Sequence, residues 1–297
     1  MLPARLDSQP MPLPEELQLR TAHADDTQRI ADLRASVGWV AHDWALRAAM
    51  KAPHARTLVA CDATGAIVGV GSGIAYGALG FVGNMVVAEG HRRRGIGAAI
   101  LQAVLDVLER RGCTRMELYA TPYGRPLYAG HGFTLTDPSA FARVPRATDL
   151  GVLSSVDVTE AQPSAIDTVA GYDAPRFGGN RRSLLAMMLA DPARPVLVAH
   201  DRGTLTGYAW LRPDGPRLGP FVADSPVVAA ALLAEAFGRA PAADDLALTL
   251  PMANQDGTAW LRGLGVVLEP WDGRMARGPQ IARRDDTIYG NVVGALG

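Results

Sequence analysis

The sequence contains one short segment, rich in arginine and glycine, whose residue types suit the binding of phosphate. Residues 92–98 read Arg-Arg-Arg-Gly-Ile-Gly-Ala. The two glycines let the backbone approach an anion without interference from a Cβ atom, and the three arginines add charge and forked donors. Where such a segment opens a helix, the unpaired amides of the first turn and the helix dipole also attract an anion. The segment therefore predicts a pyrophosphate site.

The residues on both sides of this segment predict the elements that hold it in place. Residues 84–87 form a short apolar, β-branched run that is typical of a strand. After the segment, apolar residues recur at helical spacing up to Gly112, which supplies a helix stop. Residues 115–120 predict a second strand, parallel to the first because a helix connects the two. A short helix over residues 125–130 then carries Tyr128.

Two common phosphate-binding loops do not fit the spacing. A P-loop has a Lys-Ser or Lys-Thr pair after its second glycine, whereas Gly97 is followed by two alanines. A dinucleotide-binding loop has a third glycine where this sequence has Ile100. The remaining pattern, Arg-x-x-Gly-x-Gly after a strand, resembles the acetyl-CoA loop of the GNAT superfamily of N-acetyltransferases.

A second motif strengthens this resemblance. Residues 128–133, Tyr-Ala-Gly-His-Gly-Phe, are similar to the Tyr-x-x-x-Gly-Phe pattern that closes the family's core. The resemblance covers roughly residues 17–143, and the sequence departs from the family pattern at Thr121, where an asparagine is usual. It implies an α+β (α/β) fold in which helices flank a central, mixed and mostly antiparallel sheet. Strands four and five of that sheet are parallel and splay apart.

The resemblance also implies a co-substrate and a mechanism. Acetyl-CoA lies with its pantetheine arm between strands four and five and its pyrophosphate on the loop. An amine attacks the thioester directly, a backbone N–H near Val87 stabilises the oxyanion, and Tyr128 acts as general acid toward the leaving thiolate. The residues expected to bind the coenzyme are Met85, Val86, Val87, Arg92, Arg93, Arg94, Gly95, Ile96, Gly97, Ala98, Thr121 and Arg125.

The segment between the first two predicted helices is implied by the resemblance to wall the acceptor pocket. It contains the candidate substrate-binding residues Trp39, His42, Asp43 and Trp44. The alternative is that both tryptophans belong to the core and that Asp43 only caps the second helix. The general base stays open, with His42, Asp43, Glu89, Glu117 or a water chain as candidates.

The second half of the sequence resembles a weakened copy of the first. Residues 198–201 align with residues 59–62, and Leu261 takes the place of Tyr128. Where the first half has its basic loop, the copy begins with Asp224 and has no glycine or arginine, so phosphate is repelled. We therefore expect a second, degenerate GNAT-like domain that lost its coenzyme.

The expected organisation is a flexible tail over residues 1–16, a catalytic domain over 17–147 and the degenerate domain over 148–297. Residues 137–138, Asp-Pro, predict a turn near the end of the catalytic domain. Within the degenerate domain, residues 172–182 mix aromatic and charged residues with glycines. They predict a loop that either reaches over the first domain's pocket or only leads into the helix after it.

The composition of the chain limits the kinds of partner and ligand that we expect. Hydrophobic residues make up 48% and charged residues 20%, as in ordinary globular proteins, and a formal net charge of −1 gives no basic field for nucleic acid or an anionic membrane. No apolar segment is long enough to span a membrane. Two cysteines make no disulfide framework, so a cytoplasmic location is expected. The six histidines lack metal-ligand spacing, so no metal is predicted.

The sequence thus predicts an enzyme that transfers an acetyl group from acetyl-CoA to a primary amine of a small-molecule acceptor. Two alternatives remain: a non-catalytic module that binds acyl-CoA for regulation, and an enzyme that uses a longer acyl donor. A monomer or a homodimer is expected.

Overall fold

The structure is a computed structural model that describes residues 13–39, 43–151, 156–241, 245–292 and 294–297. These residues form eight α-helices and thirteen strands. The helices are α1 (Thr27–Ser36), α2 (Asp43–Lys51), α3 (Ile96–Arg110), α4 (Arg125–Gly130), α5 (Ile166–Phe177), α6 (Arg182–Leu189), α7 (Pro226–Arg239) and α8 (Gln255–Gly263). The strands are β1 (Gln18–Thr21), β2 (Ala55–Cys61), β3 (Ile67–Tyr76), β4 (Leu79–Val87), β5 (Arg115–Ala120), β6 (Thr134–Val144), β7 (Asp157–Glu160), β8 (Val196–Asp201), β9 (Thr204–Leu211), β10 (Leu218–Ala223), β11 (Leu246–Pro251), β12 (Leu268–Arg277) and β13 (Ile288–Gly290).

The larger sheet is mixed and mostly antiparallel, which confirms the predicted fold class. Its eight strands run in the order β1-β2-β3-β4-β5-β12-β6-β11. Every neighbouring pair is antiparallel except β4 and β5, which are parallel. A second sheet, with the order β13-β10-β9-β8-β7, is antiparallel throughout.

Strands β4 and β5 pair only at their beginnings. Leu79, Gly80 and Phe81 face residues 115–117, and the part of β4 beyond Phe81 has no partner in β5. A bulge in the pairing of β3 with β4 lies in the same region, where Asn84 has a φ of 54°. Because a bulge bends a strand, β4 leaves its neighbour and opens the gap that the resemblance implied.

Helix α3 covers one face of this sheet at close range. Its residues Ile100, Val104 and Leu108 recur at helical spacing and are fully buried. A Cβ atom at Gly71 of β3 would lie 2.6 Å from the side chain of Ile100. The glycines of β3 therefore allow the helix to pack closely against the strand.

The two halves of the chain share the larger sheet. Strand β12, from the second half, lies between β5 and β6, and β6 also pairs with β11. At this seam, buried Glu117 of β5 accepts hydrogen bonds from Arg115 and from Arg283, 2.8 Å away. The end of the chain packs beside β4, because a Cβ atom at Gly83 would lie 2.5 Å from a backbone oxygen of Ala295.

Two local predictions are wrong. Residues 137–138, expected to be a turn, lie inside β6, where buried Asp137 pairs with Arg274 of β12. The loop expected over residues 172–182 is helical up to Phe177, because α5 continues through Pro175. No residue of that segment lines either of the cavities described below.

Candidate active site

The predicted phosphate loop ends at an open helix N-terminus. Gly95 is the N-cap of α3 and has a φ of 79°, a backbone conformation that glycine adopts without strain. It has no side chain with which to cap the helix, and no side-chain cap hydrogen bond is present there. The first-turn amides, which have no intrahelical acceptor, therefore remain available to an anion.

The three arginines of the loop have different surroundings. The Nε atom of Arg92 donates to the backbone oxygen of Val87 over 3.2 Å, which ties the loop to the end of β4. Arg94 forms an ion pair with Glu16. Arg93 is exposed and forms no ion pair with the part of the chain that the structure describes. The loop thus presents positive charge that the described residues only partly neutralise.

A cavity of about 540 Å³ opens at this loop and is called the loop cavity. It runs from the N-terminus of α3 along the end of β4, where β4 is no longer paired with β5, to α4. Ten of the twelve predicted coenzyme-binding residues line it, and only Arg94 and Arg125 do not. Its lining residues are Val37, Trp39, Met85, Val86, Val87, His91, Arg92, Arg93, Gly95, Ile96, Gly97, Ala98, Tyr119, Thr121, Tyr123, Gly124, Leu127 and Tyr128.

A second cavity, of about 310 Å³, adjoins the first and is called the inner cavity. The two cavities share five lining residues: Trp39, Met85, Tyr119, Thr121 and Tyr128. Tyr128 is only 8% exposed and packs edge-on against Phe133, with 6.2 Å between the ring centroids. Its ring is therefore both a core aromatic and part of the wall between the two cavities.

Both halves of the chain form the inner cavity. From the first half come Arg34, Gly38, Trp39, Ala45, Val82, Gly83, Asn84, Met85, Tyr119, Thr121 and Tyr128. From the second half come Arg212, Arg217, Thr249, Trp271, Asn291, Gly294 and Ala295. Local patterns predicted site roles for Trp39, Met85, Thr121 and Tyr128. They predicted none for the residues of the second half, which reach the cavity only through long-range pairing.

The predicted acceptor-binding residues fall in different places. Trp39 lines both cavities. Trp44 instead faces the second half, where its indole N–H donates to Asp214 over 2.9 Å and its ring packs edge-on against Trp210. His42 lies outside the described residues, and Asp43 begins α2, with its side chain outside the described part.

The carboxylate candidates for a general base are placed differently. Glu117 is fully buried and is held by the arginines of the seam. Glu89 is exposed and lines neither cavity. Among the described residues, no carboxylate or imidazole lines the inner cavity. Burial raises the pKa of Tyr119 to about 12, so its hydroxyl stays protonated at neutral pH.

The corresponding helix of the second half has a closed N-terminus. The Ser225 side chain caps α7 by accepting from the amide of Val228. Asp224, just before it, forms an ion pair with Arg176 at 2.6 Å. The Ser225 hydroxyl takes up one amide of the first turn, and the negative charge of Asp224 lies just before it. Both make the binding of an anion at this helix end less favourable. The expected loss of the phosphate site therefore has a structural basis.

Three general features of the described chain are also relevant. No helix of the described part is long and apolar enough to cross a membrane. In the same part, no group of three or more histidine, cysteine or acidic side chains is arranged to hold a metal ion. Cys61 and Cys113 are both buried and are not joined by a disulfide.

Both halves of the chain match known protein families. Residues 21–133 match the acetyltransferase (GNAT) family, and residues 169–290 match an acetyltransferase (GNAT) domain. The chain therefore belongs to the GNAT superfamily of acetyltransferases and contains two regions of that family, as the sequence predicted. Enzymes of this family generally use acetyl-CoA as the co-substrate.

Individual relatives agree with this assignment. The uncharacterized N-acetyltransferase YitH of Bacillus subtilis is 25% identical over 164 residues, and the match covers 53% of this chain and 56% of the relative. A proposed acetyltransferase from Pyrococcus horikoshii has the same fold along nearly the whole length, with a TM-score of 0.79, 22% identity and coverage of 96% and 97%. A tandem GNAT protein from the clavulanic acid biosynthesis pathway is similar over 89% of this chain and 100% of that one, with a TM-score of 0.64 and 16% identity.

Proposed function

We propose that the protein transfers an acetyl group from acetyl-CoA to a primary amine of a small-molecule acceptor. The position of Tyr128 carries this proposal, because its ring lies in the wall shared by the loop cavity and the inner cavity. A donor in the first cavity and an acceptor in the second would meet beside its hydroxyl group.

The loop cavity suits the coenzyme along its length. The open N-terminus of α3, with Arg92 and Arg93 beside it, binds the pyrophosphate. Residues 85–87 of β4 have no partner in β5, so their backbone groups bind the pantetheine arm as a strand would. Arg94 and Arg125 lie outside this cavity and are not assigned to coenzyme contacts.

The transfer proceeds by direct attack. The neutral amine adds to the thioester carbonyl, and a backbone N–H near Val87 stabilises the developing oxyanion. Tyr128 then donates its phenolic proton to the departing thiolate of coenzyme A. Since no described carboxylate lines the inner cavity, the amine loses its proton to water or to a side chain of residues 42–43.

The size of the inner cavity supports a small acceptor. Its volume of about 310 Å³ lies at the lower end of the range for small-molecule sites. Trp271, Asn291, Gly294 and Ala295 line it on the side of the second half. A small metabolite fits this space better than a segment of a folded protein.

Substitution of Tyr128 by phenylalanine tests the mechanism. We expect kcat to fall at least about tenfold, because a general acid contributes more than that to such a transfer. The Kd for acetyl-CoA should stay within about twofold, since the ring remains in place. Release of free thiol with a panel of amines measures the first quantity, and calorimetry measures the second.

The matched control is Tyr172→Phe, which removes a hydroxyl from a tyrosine that is 9% exposed, as buried as Tyr128, and lines neither cavity. Its kcat should match that of the native chain. Unchanged turnover in Tyr128→Phe would remove this tyrosine from the mechanism. Binding of acetyl-CoA without thiol release for any amine would instead support the non-catalytic alternative.

A further inference from the structure

The described wall of the inner cavity carries positive charge from both halves of the chain. Arg34, Arg212 and Arg217 line it, and no acidic residue of the described chain does. Arg212 is neutralised by Asp214, which accepts two hydrogen bonds of 2.9 and 2.6 Å from its guanidinium group. Arg217 forms no ion pair with any carboxylate of the described chain.

The surroundings of Arg217 make an anionic partner favourable. Its backbone pairs with Ala247 of β11, which places it next to Thr249, another residue of the cavity wall. Its guanidinium carbon lies 5.8 Å from the ring centroid of Phe141. Burial lowers the pKa of Arg217 and the charge of Arg212 lowers it further, while the carboxylate of Asp214 offsets only part of this shift. A half-buried cation with these neighbours is stabilised when an anion binds beside it.

Two buried amide side chains of the same wall each have one polar atom without a hydrogen-bond partner. Asn84 is 2% exposed, and while its Nδ2 donates to Ser72 over 3.2 Å, its Oδ1 has no donor. Asn291 is 8% exposed, and its Nδ2 has no acceptor. A buried polar atom without a partner destabilises the fold. A ligand that donates a hydrogen bond to Oδ1 of Asn84 and accepts one from Nδ2 of Asn291 would satisfy both atoms.

We propose that the acceptor is an amine that also carries a carboxylate, such as an amino acid. Arg217 and Asn291, both from the second half, bind the carboxylate, and Asn84 of β4 accepts a hydrogen bond from the amine. The apolar part of the acceptor packs between Trp39 and Trp271. This inference rests on the proposed function and gives the second half a direct part in substrate recognition.

The test compares pairs of amines that differ only in the carboxylate. Phenylalanine with phenethylamine and lysine with cadaverine are two such pairs. In the native protein, kcat/KM from thiol release should favour the carboxylated member of at least one pair by about tenfold or more, as expected for a hydrogen bond to a charged group.

Substitution of Arg217 by methionine should remove that preference. We expect kcat/KM for the carboxylated member to fall about 30-fold through KM, and that for the plain amine to change less than about threefold. Arg217→Lys keeps the charge without the fork and should fall between the two. The control is Arg143→Met, which removes an exposed arginine that neighbours Phe141 and lines neither cavity. Thermal unfolding of each variant establishes that it is folded.

The outcomes separate this inference from the proposed function. If plain amines are acetylated as well as carboxylated ones, or if Arg217→Met leaves the ratio unchanged, the carboxylate site is refuted and the transferase activity stands. If no amine releases thiol, the proposed function fails. Calorimetry with the same pairs in the presence of coenzyme A then still tests the site, because tighter binding of the carboxylated member should be lost in Arg217→Met.

Discussion

A negative charge placed at the N-cap of α3 should weaken coenzyme binding while leaving the fold intact. The N-cap is Gly95, in a left-handed conformation that asparagine and aspartate tolerate better than other residues do. Gly95→Asp gives this helix an acidic residue of the kind that precedes α7, where Asp224 stands beside the capping Ser225. Gly95→Asn has nearly the same shape and the same capping ability but no charge, so the pair isolates electrostatics.

The size of the effect follows from the position of the charge. At a separation of about 5 Å and an effective dielectric constant of about 20, a carboxylate and one phosphate charge repel by about 3 kcal/mol. Every 1.4 kcal/mol corresponds to about a tenfold change in Kd. Since Gly95 is partly exposed and salt screens the repulsion, we expect Gly95→Asp to bind acetyl-CoA about 10- to 100-fold more weakly than Gly95→Asn.

Calorimetric titration of acetyl-CoA into both variants measures this difference, and repeating it at several salt concentrations tests its origin. The gap between the two affinities should narrow as ionic strength rises, because the Debye length falls. Equal Kd values for the aspartate and asparagine variants would refute the assignment of the α3 N-terminus as the pyrophosphate site.

Two further predictions concern the seam between the halves and the effect of pH. Glu117→Gln leaves buried arginines without their carboxylate and should lower the free energy of unfolding by about 3–5 kcal/mol. The control, Glu109→Gln, breaks an exposed ion pair with Arg277 and should lower it by at most about 1 kcal/mol. Equal losses for the two variants in urea denaturation would contradict the reasoning. Burial raises the pKa of Asp137 from 3.8 to about 6, so the folded protein binds a proton at this carboxyl more tightly than the unfolded chain does. The protonated carboxyl therefore stabilises the folded state below pH 4, and this contribution is lost as the pH rises through 6. Relative to Asp137→Asn, the native chain should therefore lose up to about 3 kcal/mol between pH 4 and pH 7, measured by denaturation at several pH values.

The local elements of the first half could be predicted because glycines, prolines and apolar spacing mark their ends. Strand β5 and helix α4 have the predicted bounds, and the phosphate loop lies at the start of α3. Strand β4 begins at Leu79, earlier than the predicted residues 84–87. Its first part contains Gly80 and Gly83 and shows no alternation, so the sequence pattern does not indicate a strand there. The continuation of α5 past residue 172 was missed for a similar reason, since Pro175 is usually a helix breaker.

The inner cavity could not be predicted from local pattern. Trp271 reaches it because β12 inserts between β5 and β6, whereas the backbones of Arg217 and Asn291 pair with β11. Pairing between residues so far apart in sequence has no local signature. Asn84 has a different cause: its positive φ belongs to the bulge that bends β4, which apolar periodicity does not reveal.

These placements explain why a second half without a phosphate site is still needed. Strand β12 supplies the partner for β5 on one side and for β6 on the other, so without it both strands would expose unpaired edges. The same half also closes the inner cavity with Trp271 and the residues around Asn291. No residue of α7 lines the inner cavity, whereas Trp271 of β12 and Asn291, just after β13, do. The first half therefore depends on the last strands of the second half and not on the N-terminus of α7.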